Sequence, residues 1–303
     1  MPTSASAQEV LKPAVAAGVF ADLHVHSTAS DGVFSPTEIV RQAAEIGLGA
    51  IALTDHDTLA GVPEARFAAV DAGIELVAGI ELSCGWPGKD VSLHVVGLFL
   101  DETSESLVRL LDDQKTHRFH RAMEIIDRLQ RLGFPMEPLR ERFAASTEKV
   151  LGRPHVARYL VEIGAIPDFQ QAFEQYLRRG RPAYVQKKHV LPEEGIEAIH
   201  SAGGIAFIAH PGLISDWPAV WELIKDHRWD GVEAHYSEHT PEQFDFFRRL
   251  AAEYGWLMSG GSDYHGDYGK HASRFGLFGL DRSGFARLSA GAAERRLKEE
   301  KAA

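Results

Sequence analysis

Short β-type segments recur along this chain, each followed by helix-type sequence, at 19–25, 50–53, 74–78, 92–99, 204–208, 231–234 and 256–259. That alternation restricts the fold to a parallel sheet or barrel with helices outside, because parallel neighbours need a crossover of helical length. The helices carry their own signals. Ser35-Pro36-Thr37-Glu38 supplies an N-cap, a proline at the first helical position and an acidic first turn, and Gly47 closes the helix so opened. The stretches 193–202 and 241–254 read the same way. Between about 103 and 188 the rhythm stops and the sequence becomes helical and strongly charged, with 105–132 a long candidate helix. Gly133-Phe134-Pro135, Gly152-Arg153-Pro154, Gly164 to Pro167 and Gly180-Arg181-Pro182 punctuate it into three or four helices. The expected organisation is a loose tail at 1–18, barrel sequence at 19–102, a helical insertion at 103–188, barrel sequence at 189–285 and a charged helical end at 286–303. The segment 273–280 is expected to add a last strand.

Composition excludes several classes of function. No apolar run approaches the roughly 20 residues that a spanning helix needs, so no membrane partner is expected. The N-terminal stretch has no basic start, and Lys12-Pro13 interrupts it, which does not fit an export signal. A single cysteine, Cys84, rules out an intramolecular disulfide and fits the cytoplasm; it reads as a small packed residue and not as a nucleophile. The net charge of −11 argues against a broad basic face for duplex DNA. It does not argue against a phosphate substrate, because bound cations would reverse the sign inside a cleft.

The first β-type segment ends in Asp22-Leu23-His24-Val25-His26. The period of two along a strand puts Asp22, His24 and His26 on one face, with Leu23 and Val25 opposite, so two imidazoles aim at one point. One His-x-His among fifteen histidines is weak evidence, since buried histidines often only satisfy hydrogen bonds. Recurrence changes the reading. Asp31 follows the first segment, Thr54-Asp55-His56-Asp57 ends the second, and Gly79-Ile80-Glu81 ends the third. His94 lies in the fourth, Ala209-His210-Pro211 ends the fifth, and Ser262-Asp263-Tyr264-His265 ends the last. Strand ends on one rim of a barrel face a common crevice. Histidine and carboxylate without a thiolate cluster suit manganese, zinc or iron and are too nitrogen-rich for calcium. So many candidate ligands exceed what one ion can use, so two or three divalent ions are expected, able to activate a bridging water and hold phosphoryl oxygens.

These motifs together resemble the signature of the PHP (polymerase and histidinol phosphatase) family. The resemblance implies a distorted seven-stranded α/β barrel, (β/α)7, with a metal cluster at the strand ends and a helical insertion. It implies that His24, His26, Glu81 and Asp263 share one ion, Glu81, His94 and His210 a second, and Asp31, His56 and His265 a third, with manganese favoured. Gly152-Arg153-Pro154-His155-Val156-Ala157 and Arg179-Gly180-Arg181-Pro182-Ala183-Tyr184-Val185 resemble the subgroup containing nucleoside 3',5'-bisphosphate phosphatases and the 5'-to-3' exoribonuclease RNase AM. The implied substrates are a nucleoside bisphosphate or short 5'-phosphorylated RNA, attacked at the phosphorus on a 3'-oxygen while the 5'-phosphate is held elsewhere.

Arginine offers phosphate a planar donor fork, so Arg118, Arg121, Arg153 and Arg181, with His155, are the candidates for that second task. Solvated charges on an exposed helix, partnered by Glu124 and Asp127, are an equal reading for Arg118 and Arg121. His235 and His239 lie near a strand end but outside the family pattern. The rival functions are hydrolysis of histidinol phosphate or another small phosphomonoester, and a noncatalytic metal-binding module.

Overall fold

The computed structural model describes residues 12–89, 91–145, 152–186, 188–266 and 274–300. The chain divides into two compact units, one made of residues 1–107 and 191–303, the other of 108–190.

The larger unit is a seven-stranded sheet whose spatial order is its sequence order: β1 Ala21–Val25, β2 Ala50–Leu53, β3 Glu75–Gly85, β4 Ser92–Leu98, β5 Ile205–Ile208, β6 Gly231–Tyr236 and β7 Leu257–Gly261. It nearly closes into a barrel, because Val25 bridges Tyr264 just past β7, with His26 N–H donating to Tyr264 O (2.9 Å) and Asp263 N–H to His24 O (2.9 Å). The fully parallel arrangement expected from the rhythm is corrected at β4, which runs antiparallel to both β3 and β5. The chain between β3 and β4 is far too short for a crossover, so β4 has to return alongside β3. As a result the start of β4, not its end, reaches the rim, and His94 sits there beside Ala209, whose N–H donates to His94 O (3.1 Å).

The helix signals act as read. In Pro36–Ile46 the Ser35 side chain and Glu38 form a reciprocal capping box, and Gly47 ends the helix in the left-handed region at φ 96°. Pro241–Tyr254 begins the same way with Thr240 and Gln243. Two terminal expectations are corrected. Pro13–Ala17, placed in the tail, is a helical turn whose Ala14 is fully buried among Val25, Ile39 and Val40; residues 1–11 lie outside the described residues. In 273–280 no strand forms among the described residues. Its end makes one antiparallel bridge, Ala21 to Leu280, and the following helix Arg282–Glu300 packs Phe285, Leu288 and Ala292 against Leu23 and Phe207. Among the described residues no helix is long and apolar enough to cross a membrane.

In the smaller unit, Glu137–Ala145, Arg153–Glu162 and Phe169–Ala172, which runs on into a π-helical turn Phe173–Leu177, pack with the long helix Glu105–Arg131. They bury Ile125, Ile126, Leu129, Met136, Leu160 and Leu177, and Tyr159 Oη donates to Pro135 O at 2.7 Å.

Candidate metal centre

Glu81, on β3 and 1% exposed, is the hub of the strand-end residues. Its Oε1 is 2.6 Å from His94 Nδ1 and 2.8 Å from His210 Nε2; its Oε2 is 3.1 Å from His56 Nδ1, 3.2 Å from His24 Nε2 and 3.3 Å from His26 Nε2. Asp263 Oδ1 lies 3.1 Å from His26 Nε2 and 3.6 Å from His24 Nε2. Asp31 reaches His265 Nε2 at 3.3 Å and both His26 Nδ1 and His56 Nε2 at 3.8 Å. Three groups emerge whose ligand atoms lie within 4.8 Å of one another: His24, His26, Glu81 and Asp263; His26, Asp31, His56 and His265; and His56, Glu81 and His94. These groups hold eight of the nine candidates, and His210, in none of them, joins through Glu81 Oε1, so all nine side chains meet on one rim.

The donor set suits divalent metal ions, and the unsatisfied atoms point the same way. His24 Nε2, both ring nitrogens of His26, His56 Nδ1 and Glu81 Oε2 are buried and make no hydrogen bond. Buried polar atoms are almost always paired, so several converging on one place fit a set of cation ligands. The charges agree. Burial works against a charge on His24, but Glu233, Glu81 and Asp263 outweigh it and hold its pKa well above the ordinary value. His26 is likewise pushed up to about 10, against its burial, by Asp263 and Glu81. Glu81 and Asp263, despite burial, are held well below the carboxylate range by the surrounding imidazoles. His56 goes the other way, to about 3, because burial dominates. Without a cation, protonated imidazoles must balance the carboxylates; divalent ions would replace those protons.

The expected common face for Asp22, His24 and His26 is corrected. The pairing of β1 with β2 shifts register between Asp22 and Val25, so the regular alternation breaks there. Leu23 packs with Ala50, Ala52 and Phe207, whereas Val25 packs with Ile51 and Leu53. The Asp22 carboxylate stays out of the imidazole cluster and accepts from Ser262 N–H (3.0 Å) and Gly276 N–H (3.2 Å); burial raises its pKa to about 6. Asp55 and Asp57 also tie loops, accepting from Ser27 N–H (2.8 Å) and Ser83 N–H (2.7 Å). Two candidate ligands, His210 (φ 27°) and Asp263 (φ 55°), are held in the left-handed region. Such strain costs about 1–3 kcal/mol per residue and persists only where the surroundings impose it.

Sequence reading missed Glu233 and Tyr236, although a carboxylate following the apolar start of the Gly231–Tyr236 strand was a usable signal. Glu233 is 1% exposed and bonds His24 Nδ1 (2.9 Å), and Tyr236 Oη donates to Asp263 Oδ2 (2.8 Å). His235 packs on Phe244, while His239 accepts from Gly212 N–H (3.1 Å). Cys84 is buried on β3 opposite Leu93. A cavity of about 250 Å³ adjoins His94 and His210, walled by Leu213, Ile214 and Val220. A larger one, about 690 Å³, is lined by Arg248, Trp256, Met258 and Arg287 and contains no candidate ligand.

Within the smaller unit, Arg121 Nε donates to Val185 O (2.9 Å), and Arg153 donates to Leu177 O (3.3 Å) and covers the Phe173 ring. Partial burial, then the charges of Arg153 and Arg118, depress Arg121 to about 10. The positive charges of Arg153 and Arg118 thus both act on Arg121. His155 instead packs edge-on against Phe143, and Arg181 is exposed after Gly180. The pairing expected of Glu124 is made by Arg128 (2.6 Å), and that of Asp127 by Arg140.

A barrel with this rim is the architecture of a metal-site hydrolase, and comparison with known proteins places it. The PHP domain model matches residues 22–191, and the chain belongs to that family. It is 44% identical over 250 residues to a 5'-3' exoribonuclease of Haemophilus influenzae, covering 80% of this chain and 89% of that one. It is 34% identical over 248 residues to a 3',5'-nucleoside bisphosphate phosphatase of Chromobacterium violaceum, covering 80% and 86%. A crystal structure from Bifidobacterium adolescentis, assigned as a metal-dependent phosphoesterase, superimposes with a TM-score of 0.70 at 27% identity over 89% of this chain and 96% of that one.

Proposed function

We propose that this chain removes the 3'-phosphate of nucleoside 3',5'-bisphosphates to leave 5'-nucleotides, and shortens 5'-phosphorylated oligoribonucleotides from the 5' end. The observation that carries the reading is the convergence of five imidazoles on the two oxygens of Glu81. His24, His26, Glu81 and Asp263 would hold one ion, Glu81, His94 and His210 a second, and Asp31, His56 and His265 a third. Bound divalent ions supply charge for the phosphoryl oxygens and a more acidic water. Manganese is the proposed ion, with zinc or iron as alternatives, because the donors are mixed nitrogen and oxygen without thiolate.

The chain's own residues do the rest. Glu81 fixes the imidazoles in one cluster, and the apolar wall of Leu213 and Ile214 beside His94 and His210 offers room for the organic part of a substrate. Arg118, Arg121 and Arg153 are assigned the 5'-phosphate, since Arg121, half-buried and acted on by the positive charges of Arg153 and Arg118, gains from an anion. His155 and Arg181 are assigned to the same task on the family resemblance alone. Both substrate classes fit this division, because each presents phosphorus on a 3'-oxygen and a phosphate at the 5' position. The proposed setting is the cytoplasm, with neither duplex DNA nor membrane as a partner.

Arg153→Ala is expected to raise KM for adenosine 3',5'-bisphosphate about tenfold or more, the worth of one charge-assisted hydrogen bond, with little change for 3'-AMP. Steady-state kinetics on the two substrates checks this. Equal losses on both would remove Arg153 from the 5'-phosphate role.

A further inference from the structure

Strand β6 supplies none of the nine candidate ligands, yet it bonds to three of them. Its pairing with β7 matches Glu233 to Ser259 and then His235 to Gly260, so Ala234 is an extra residue opposite no partner. Residues three apart on a regular strand face opposite sides; one inserted residue returns them to the same side. Glu233 and Tyr236 accordingly both reach the cluster, while His235, between them, turns away onto Phe244 at 4.4 Å.

The contacts divide by atom. Glu233 Oε1 takes His24 Nδ1 at 2.9 Å, and Oε2 accepts from the backbone N–H of His210 at 2.7 Å. The first bond turns the other ring nitrogen, Nε2, toward Glu81 and Asp263. The second restrains a residue held at φ 27°. Tyr236 Oη donates to Asp263 Oδ2 at 2.8 Å, leaving Oδ1 as the oxygen that faces His24 and His26.

We infer that the bulged strand β6 is the positioning element of the metal centre: Glu233 sets the tautomer and ring angle of His24 and anchors His210, and Tyr236 restricts Asp263 to one ligand oxygen. This rests on the reading that His24, His210 and Asp263 hold metal. A carboxylate is required at 233 because two donors must be met by two acceptor oxygens; glutamine has one. Outer partners of metal ligands are worth roughly 10–100-fold in affinity.

The test is equilibrium dialysis of manganese against the full chain, read by metal analysis, with thermal melts of the same metal-free samples. Glu233→Gln is expected to weaken manganese binding about tenfold or more, and Tyr236→Phe by less, with both variants folded without metal and each melting in one transition. Turnover by Glu233→Gln is expected to recover at high manganese, as a positioning loss should. Wild-type affinity in both variants, or a fallen melting temperature with unchanged affinity, would overturn the proposal. If wild type itself takes up no manganese, zinc or iron, the metal reading fails first; if wild type binds and His24→Ala does not, while Glu233→Gln binds normally, only the role of β6 fails.

Discussion

Glu81→Gln is expected to lower kcat/KM by more than about 100-fold, beyond the 10–100-fold that outer partners of a metal usually carry. The substitution keeps the shape of the side chain and removes the charge that five imidazoles share, through contacts of 2.6 to 3.3 Å. It leaves His94 and His210, 3.3 Å apart, without the carboxylate they share, and it takes a ligand from two of the proposed ion positions at once. Metal content should therefore fall together with activity. Rate measurements beside metal analysis on a folded variant check both, and a variant with full metal content and wild-type turnover would show that Glu81 is not the hub.

Metal uptake is expected to release protons, and apparent affinity should rise steeply with pH. The folded chain holds a proton on His26 up to about pH 10, whereas an unfolded histidine loses it near 6.5. A raised pKa of this kind contributes stability that is fully present below 6.5 and is lost as pH climbs toward 10. The metal-free protein should thus lose melting temperature across that window, and a metal-loaded protein, whose His26 proton has been displaced, should lose much less. Each displaced proton gives about a tenfold gain in metal affinity per pH unit over the same range. Calorimetric titration in buffers of different ionisation heat, with melts of both forms from pH 6.5 to 10, measures both effects. Flat melting temperatures and no proton release would mean that the imidazoles are neutral before metal binds.

The ligand-type residues were legible in sequence because few residue types bind divalent ions and the strand rhythm located them at segment ends. His94 is instructive: it belongs to the rim although it opens its strand, and only the short β3–β4 connection explains that. Periodicity failed where a single register shift intervened. It put Asp22 beside His24, but the irregular pairing after Asp22 sends its carboxylate to Ser262 and Gly276. The same kind of irregularity hid Glu233 and Tyr236, which strict alternation would place on opposite faces. Among the basic residues, Arg118 and Arg121 share one helix, and Arg153 acts on the charge of Arg121 through a tertiary arrangement that no linear motif encodes. Pro13–Ala17 is too short to carry a detectable periodicity, and Ala14 is buried through tertiary packing alone.

The most direct test is phosphate release by the manganese-loaded chain from adenosine 3',5'-bisphosphate, run beside 3'-AMP, 5'-AMP and histidinol phosphate, with the nucleotide products separated and identified. The expected result is rapid conversion of the bisphosphate to 5'-AMP, slower turnover of 3'-AMP and none of 5'-AMP; a preference for histidinol phosphate, or no release from any of the four, would contradict it.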